Sequence, residues 1–263
     1  MLIPGLVSVT FRECEPRQII AEVQTAGLHA IEWGGDVHAP PGDAAQAELV
    51  QRMSTDAGLK VAAYGSYFRL GREMEVEPWL ETARLLGAPT MRIWTGARGS
   101  AETTEAQRRA LVTELRSVCD HAARYGLTIS LEFHEGTFTD RAESVAMLMQ
   151  ETIHDALRTY WQPVNRKADI TELKSSIAAV LPWLTHVHVF HRCFDPMQWL
   201  ALADGRMQWR ALFQMLSASK ENHAVMIEFV RGNSIAAFRE DAAELLALVR
   251  ESGQPVTLSK APL

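Results

Sequence analysis

TEAQRRALVTELRSVCDHAARYGLTISLEFH, residues 104–134, holds the alternation on which the whole fold turns. Thr104, with Gln107 three residues later, is a capping-box start, and Gly126 is a stop for a helix over Thr104–Tyr125. Between these signals the apolar residues recur three and four apart, so one face of the helix is meant for a core. Directly after the stop, Leu127–Phe133 turns β-rich and predicts a strand.

Working outward from this unit, short β-rich runs recur at intervals of about 30 residues, the length of a βα unit. Strands are predicted over Leu6–Phe11, His29–Trp33, Leu59–Tyr64, Thr90–Trp94, Leu127–Phe133, Leu157–Gln162, His186–Phe190 and Val225–Phe229. Helix-like segments alternate with them, among them Arg17–Thr25, Ala44–Ala57, Arg141–Ile153, Ile170–Trp183 and Ile235–Glu251. Eight such units close naturally into a single (β/α)8 barrel, a TIM barrel of class α/β, spanning residues 1–263 as one domain. The competing architecture, a doubly wound open sheet, advertises a Gly-rich phosphate turn after its first strand. Here Thr10-Phe11-Arg12-Glu13 occupies that place.

Composition agrees with this reading. A chain of 263 residues suits a barrel of about 250 residues, and 47% hydrophobic residues can fill its core. A net charge of −6 offers no basic footprint, so nucleic acid is not an expected partner. Cys14, Cys119 and Cys193 are odd in number and far apart, which fits neither a disulfide framework nor a thiolate zinc site. Residues 1–8 lack the pattern of a signal peptide, and no run is long and apolar enough for a membrane span. A cytoplasmic protein without membrane contact is expected.

In such barrels the working residues lie at the C-terminal ends of the strands. Those ends supply Glu32, Asp36 and His38 after the second strand, Arg92 and Trp94 on the fourth, and Glu132 and His134 on the fifth. The sixth ends in Tyr160-Trp161-Gln162-Pro163, the seventh carries His186, His188 and His191, and the eighth carries Glu228 with Arg231 beyond. Alternation along a strand makes Leu131, Phe133, Val187, Val189, Ile227 and Phe229 the outward residues, leaving Glu132, His188 and Glu228 inward. Two buried carboxylates need compensation, which one divalent metal ion supplies. Oxygen ligands with one imidazole favour manganese, magnesium or cobalt, and zinc is compatible.

The remaining residues have two readings each. His38 reads as a substrate contact or as the partner of Asp36. Arg92 and Trp94 read as the floor and wall of a polyol site or as packing. His134 shares the inward face with Glu132, and His186 is a substrate contact, a core histidine or a support for a ligand. Trp161 reads as core or pocket rim. Arg192 and Arg231 read as anchors for a phosphate or carboxylate, or as ordinary surface charges.

The runs LEFHEGTFTD (131–140), THVHVF (185–190), MIEFVRG (226–232) and IEWGGDVHAP (31–40) resemble the xylose isomerase-like barrel superfamily of sugar isomerases and epimerases, and the likeness covers essentially the whole chain. The resemblance implies one metal held between a Glu, an Asp, a His and a Glu on strands five to eight. Glu132, His188 and Glu228 inherit three of these positions, and Gln162 in YWQP stands where the pattern has Asp. An amide oxygen can coordinate but brings no charge, so weaker, more exchangeable metal binding is expected. A homodimer or homotetramer and a small carbohydrate substrate are likewise implied.

Two carboxylates beside a metal suit proton transfer next to a carbonyl through an enediolate, with Glu132 and Glu228 as acid and base. The expected activity is that of a sugar isomerase or epimerase. Alternatives are a lyase or dehydratase acting on a keto sugar through the same site, an endonuclease IV-like nuclease, and a metal-free sugar-binding barrel.

Overall fold

Strand and helix alternate along the chain and close into a barrel. The computed structural model describes residues 1–72, 74–164, 168–194, 197–219 and 221–253. The expected domain runs to Leu263, and residues 254–263 lie outside the described residues. The strands are β1 Leu2–Val7, β2 Ala30–Gly34, β3 Lys60–Leu70, β4 Thr90–Thr95, β5 Thr128–Leu131, β6 Leu157–Trp161, β7 Leu184–Val189, β8 His191–Phe194, β9 Met197–Leu200 and β10 His223–Ile227. Eight of them form one closed barrel in the order β1-β10-β7-β6-β5-β4-β3-β2, and every pairing in it is parallel. The expected TIM barrel is therefore the fold.

Outside it lie α1 Pro16–Thr25, α2 Ala44–Asp56, α3 Glu77–Leu85, α4 Glu105–Arg124, α5 Ala142–Thr152, α6 Ile170–Val180, α7 Arg206–Ser217 and α8 Ile235–Glu251. Both halves of the capping box read at Thr104 are present: the Gln107 amide donates to Thr104 Oγ1 (3.3 Å), and the Thr104 amide donates to Gln107 Oε1 (2.9 Å). Gly126 ends the last turn at φ +71°, a conformation that a Cβ would oppose.

Strand boundaries moved where polar side chains intervene. The first strand runs over Leu2–Val7 instead of Leu6–Phe11, because Ser8–Phe11 curls into a 3-10 turn. There Ser8 Oγ accepts the Gly34 amide (2.9 Å), a local partner that replaces the next rung of the ladder. The last two barrel strands begin two residues earlier than expected. The β8–β9 hairpin, an antiparallel pair over the C-terminal mouth, is an addition that the periodicity of the chain does not announce.

The lumen has two unlike halves. On the side of β10, β1, β2 and β3 it holds an apolar cluster including Ile3, Val7, Ala30, Ala62, Ala63, Ala224 and Met226. On the other side, alternation turns Thr90 and Arg92, Ser130 and Glu132, Tyr160 and Gln162, and His186 and His188 inward from β4 to β7 and the residues just beyond. All eight are buried.

Candidate metal centre and active site

Glu132 and Glu228 follow the last residues of β5 and β10, and each is still tied to a neighbouring strand. Glu132 donates its amide to the Ile93 carbonyl (3.2 Å) and Glu228 to that of Val189 (3.1 Å). Backbone hydrogen bonding therefore aims both carboxylates, although neither belongs to a strand proper. With His188 on β7, these residues offer one ligand atom each, all within 4.8 Å of one another and all from buried side chains.

His188 shows what that gap is shaped for. Its Nε2 meets Glu32 Oε2 across the lumen (3.2 Å), which fixes the ring. Its Nδ1 lies 3.3 Å from Glu228 Oε2 and 3.8 Å from Glu132 Oε1, yet forms a hydrogen bond with neither. A buried imidazole nitrogen aimed between two carboxylates fits a divalent cation. Without one, a proton occupies that nitrogen: burial lowers the pKa of His188, but Glu228 and Glu32 outweigh burial and raise it to about 10.

The two carboxylates are not equivalent. Glu132 Oε2 accepts from both Arg92 Nη1 and Trp94 Nε1, and its Oε1 accepts from Gln162 Nε2 (3.2 Å). Of the four acceptor positions of a carboxylate, one is left, on the oxygen facing His188. Glu228 has one close polar neighbour among the described residues, His188. Burial raises the pKa of Glu228, while His188 and Arg92 bring it below the usual carboxylate value.

Glu32, fully buried on β2, belongs to the centre as well, although its strand-end position alone does not single it out. It joins Arg92 (Nε to Oε1, 3.0 Å) to His188, and these two cations hold its carboxyl down to about 2 against the opposing effect of burial. The signal was present in the sequence, since Glu32 shares an inward face with Ala30. What periodicity could not reveal is the reach of Arg92 from β4 past β3. Gly65 on β3 clears that path: a Cβ there would stand 2.5 Å from Glu32 Oε1 and 2.9 Å from Arg92 Nη2.

Gln162 has its nitrogen committed. Nε2 donates to the Phe133 carbonyl (2.6 Å) as well as to Glu132, so any contact with a cation falls to the amide oxygen. Trp94 lends its N–H to Glu132, while Arg69 stands over its ring at 4.3 Å and His134 packs at 4.8 Å. His134 Nδ1 meets the Glu135 carbonyl (2.6 Å). Because a carbonyl only accepts, that nitrogen carries the hydrogen and Nε2 is the acceptor of the neutral ring.

Above the centre opens a cavity of about 330 Å³ that gathers Arg92, Trp94, Glu132, His134, Gln162, Arg192 and Glu228. Four other candidates are elsewhere. His38 is buried with Nδ1 on Ser8 Oγ (2.9 Å) and Nε2 on the Cys14 carbonyl (3.2 Å), so its partner is Ser8 and not Asp36, which pairs with Arg12. Trp161 faces α6 and donates to Ser176 Oγ (2.8 Å). His186 lies deeper in the lumen, its Nε2 on the Ala62 carbonyl (3.0 Å), and Arg231 pairs with Glu240 in solvent. Residues without a polar motif complete the cavity wall: Tyr67, Phe190, and Trp199 stacked on Phe229 (4.9 Å, 26°).

The profile of the family described as xylose isomerase-like TIM barrel matches residues 20–251. The chain is similar to 3-dehydroshikimate dehydratase of Bacillus anthracis, with 22% identity over 209 residues and 73% of each chain covered. Among solved structures it is similar to the probable 3-DHS dehydratase AsbF involved in petrobactin synthesis from the same organism (TM-score 0.78, 19% identity, 94% of this chain and 99% of that one). It is also similar to D-psicose 3-epimerase (TM-score 0.74, 16% identity, 94% and 98%). At such identities the structures speak for the fold, and the profile match decides membership. A closed eight-stranded parallel barrel matched by that profile over most of its length makes this chain a member of the xylose isomerase-like TIM barrel family.

Proposed function

We propose that this barrel is a metal-dependent isomerase or epimerase that moves a proton next to the carbonyl of a small keto or aldo sugar, through an enediolate. The observation that carries this reading is the convergence of Glu132, His188 and Glu228 on one gap that His188 Nδ1 faces without a hydrogen-bond partner. A divalent ion, manganese, magnesium, cobalt or zinc, held by these three side chains and the Gln162 oxygen would supply positive charge where negative charge develops on substrate oxygen.

The chain's own groups divide the remaining work. Glu132, gripped by Arg92, Trp94 and Gln162, has one acceptor position left and serves as a fixed ligand. Glu228 lines the cavity with acceptor capacity to spare, so it takes the proton from carbon and returns it. His134 Nε2 faces substrate as a second acid or base, and Trp94 and Arg92 act on substrate through Glu132.

A specific observation favours a second reading, elimination of water from a cyclic hydroxy-keto acid. Arg12 and Arg192 line the cavity beside the Phe190, Trp199 and Phe229 wall, which suits a ring bearing a carboxylate, and a relative is named as a 3-dehydroshikimate dehydratase. The first step is shared: Glu228 removes the proton next to the carbonyl. The β-hydroxyl then leaves as water, taking one proton, and a carbon–carbon double bond forms. An endonuclease IV-like nuclease, whose resemblance would imply three metals held by many more His and Asp ligands, is disfavoured, because one cluster of three such ligands is found among the described residues.

The deciding experiment is NMR of keto and aldo sugars and of 3-dehydroshikimate, incubated with protein and manganese in heavy water. Exchange of one carbon-bound proton for deuterium without loss of water supports the isomerase or epimerase, whereas loss of water from the acid supports the dehydratase. No exchange and no loss with any of them, at full metal occupancy, would sink both.

A further inference from the structure

The lumen ends below the metal centre in a second cavity, at the N-terminal mouth, of about 590 Å³. Thr90, Thr128, Arg158, Thr185 and His186 line it, with Trp183 at its edge. Barrels ordinarily close this end with layers of branched apolar side chains. Here hydroxyls take their place: Thr90 Oγ1 bonds Ser130 Oγ (2.8 Å), which reaches Thr185 Oγ1 (3.3 Å).

Two features mark the cavity as a binding site. Arg158 shares the inward face of β6 with Tyr160, and its Nη1 donates to the carbonyls of Asp155 (2.9 Å) and Leu157 (2.7 Å), which steady the guanidinium. No carboxylate among the described residues pairs with it; Glu221, at the rim, is the nearest acidic member of the lining. The second feature is His186, 3% exposed, whose Nδ1 has no partner. Its Nε2 carries the hydrogen because the Ala62 carbonyl can only accept, so Nδ1 is an acceptor awaiting a donor. A buried acceptor without a partner is unfavourable, and a hydroxylated ligand relieves it.

We propose that the N-terminal mouth is a second ligand site, taking a small hydroxylated oxyanion whose carboxylate or phosphate meets Arg158 and whose hydroxyl meets the polar wall at His186. The site is separate from the metal centre and independent of the activity proposed for it. A ligand there touches the His186 ring, which stacks on Tyr160 (4.7 Å, 18°), itself edge-on to His188 (5.2 Å).

The test is calorimetric titration of lactate and of glycerol 3-phosphate, one probe for each oxyanion, into wild type and into Arg158→Ala, Thr128→Leu and Arg192→Ala. Saturable binding of at least one probe is expected. Arg158→Ala should weaken it about tenfold or more, Thr128→Leu should weaken it by replacing a wall hydroxyl with a bulkier apolar group, and Arg192→Ala should leave it unchanged. If Arg158→Ala does not fold, Thr128→Leu decides alone. Absence of saturable binding of both probes overturns the proposal, as does wild-type affinity in Arg158→Ala or Thr128→Leu. Loss confined to Arg192→Ala overturns it too, by moving the ligand to the upper mouth.

Discussion

Four barrel strands, β10, β1, β2 and β3, line their half of the lumen mostly with small or aliphatic groups, and the four others line theirs with charge and imidazole. The two halves depend on each other. Glycine and alanine at Gly5, Ala30, Ala62, Ala63 and Ala224 leave the volume into which Arg92, Tyr160, His186 and His188 extend from the opposite side. In return, the two large cationic side chains of the polar half each stand between carboxylates: Arg92 sits between Glu32 and Glu132, and His188 between Glu32 and Glu228. A lumen can thus be half ionic when each large charged side chain has small residues facing it and an opposite charge at its end.

The comparison breaks most sharply at the carboxylates. Glu228→Gln is expected to lower solvent exchange of the substrate proton by about 10³-fold and to weaken manganese binding less than Glu132→Gln does; NMR exchange and calorimetry separate the two. Equal metal loss in both variants would erase the division of roles. Next in size, Arg92→Met leaves Glu32 and Glu132 buried without their cation, a cost of about 3–5 kcal/mol in denaturant unfolding. Gly65→Ala, on the small-residue side, pushes a Cβ against Glu32 and Arg92 and should cost about 1–3 kcal/mol with weakened manganese binding, read from melting curves with and without metal.

Acidity sharpens the same contrast. His188, raised to about 10, keeps its proton through neutral pH, and a metal has to displace it. Manganese affinity should therefore fall about tenfold for each pH unit lowered, as measured by titration calorimetry. The metal-free protein behaves oppositely. Because the folded-state pKa lies above that of the unfolded chain, its stabilising contribution is complete below about 6.5 and is lost as pH rises through 10. The smallest effect is expected for Thr90→Val, which removes the bond to Ser130 for about 1 kcal/mol and leaves metal binding intact.

Much of this arrangement was legible before any coordinates. Period-two alternation turned Glu132, His188 and Glu228 inward, and the structure brings those side chains to one point. The same alternation was silent about His38 and Arg231, because loop residues have no period: one folded into a buried polar pair with Ser8, the other stayed with Glu240. For Trp161 the period does decide: its neighbour Gln162 faces inward, so Trp161 faces α6. Helix α4 was legible to within a residue at each end, because its capping signals are local.

By itself the sequence determined the number and order of βα units, the inward faces of the strands and the identity of the three side chains that converge, since hydrophobic period and capping act between residues close along the chain. Tertiary structure alone decided that Glu32 and Arg92 would tie three strands together, that Glu132 and Glu228 would differ in the acceptor positions left to them, and that a polar cavity would open at the far mouth. Those outcomes depend on which strands face each other across the lumen and on how far a long side chain reaches past a glycine, distances that closure of the barrel sets.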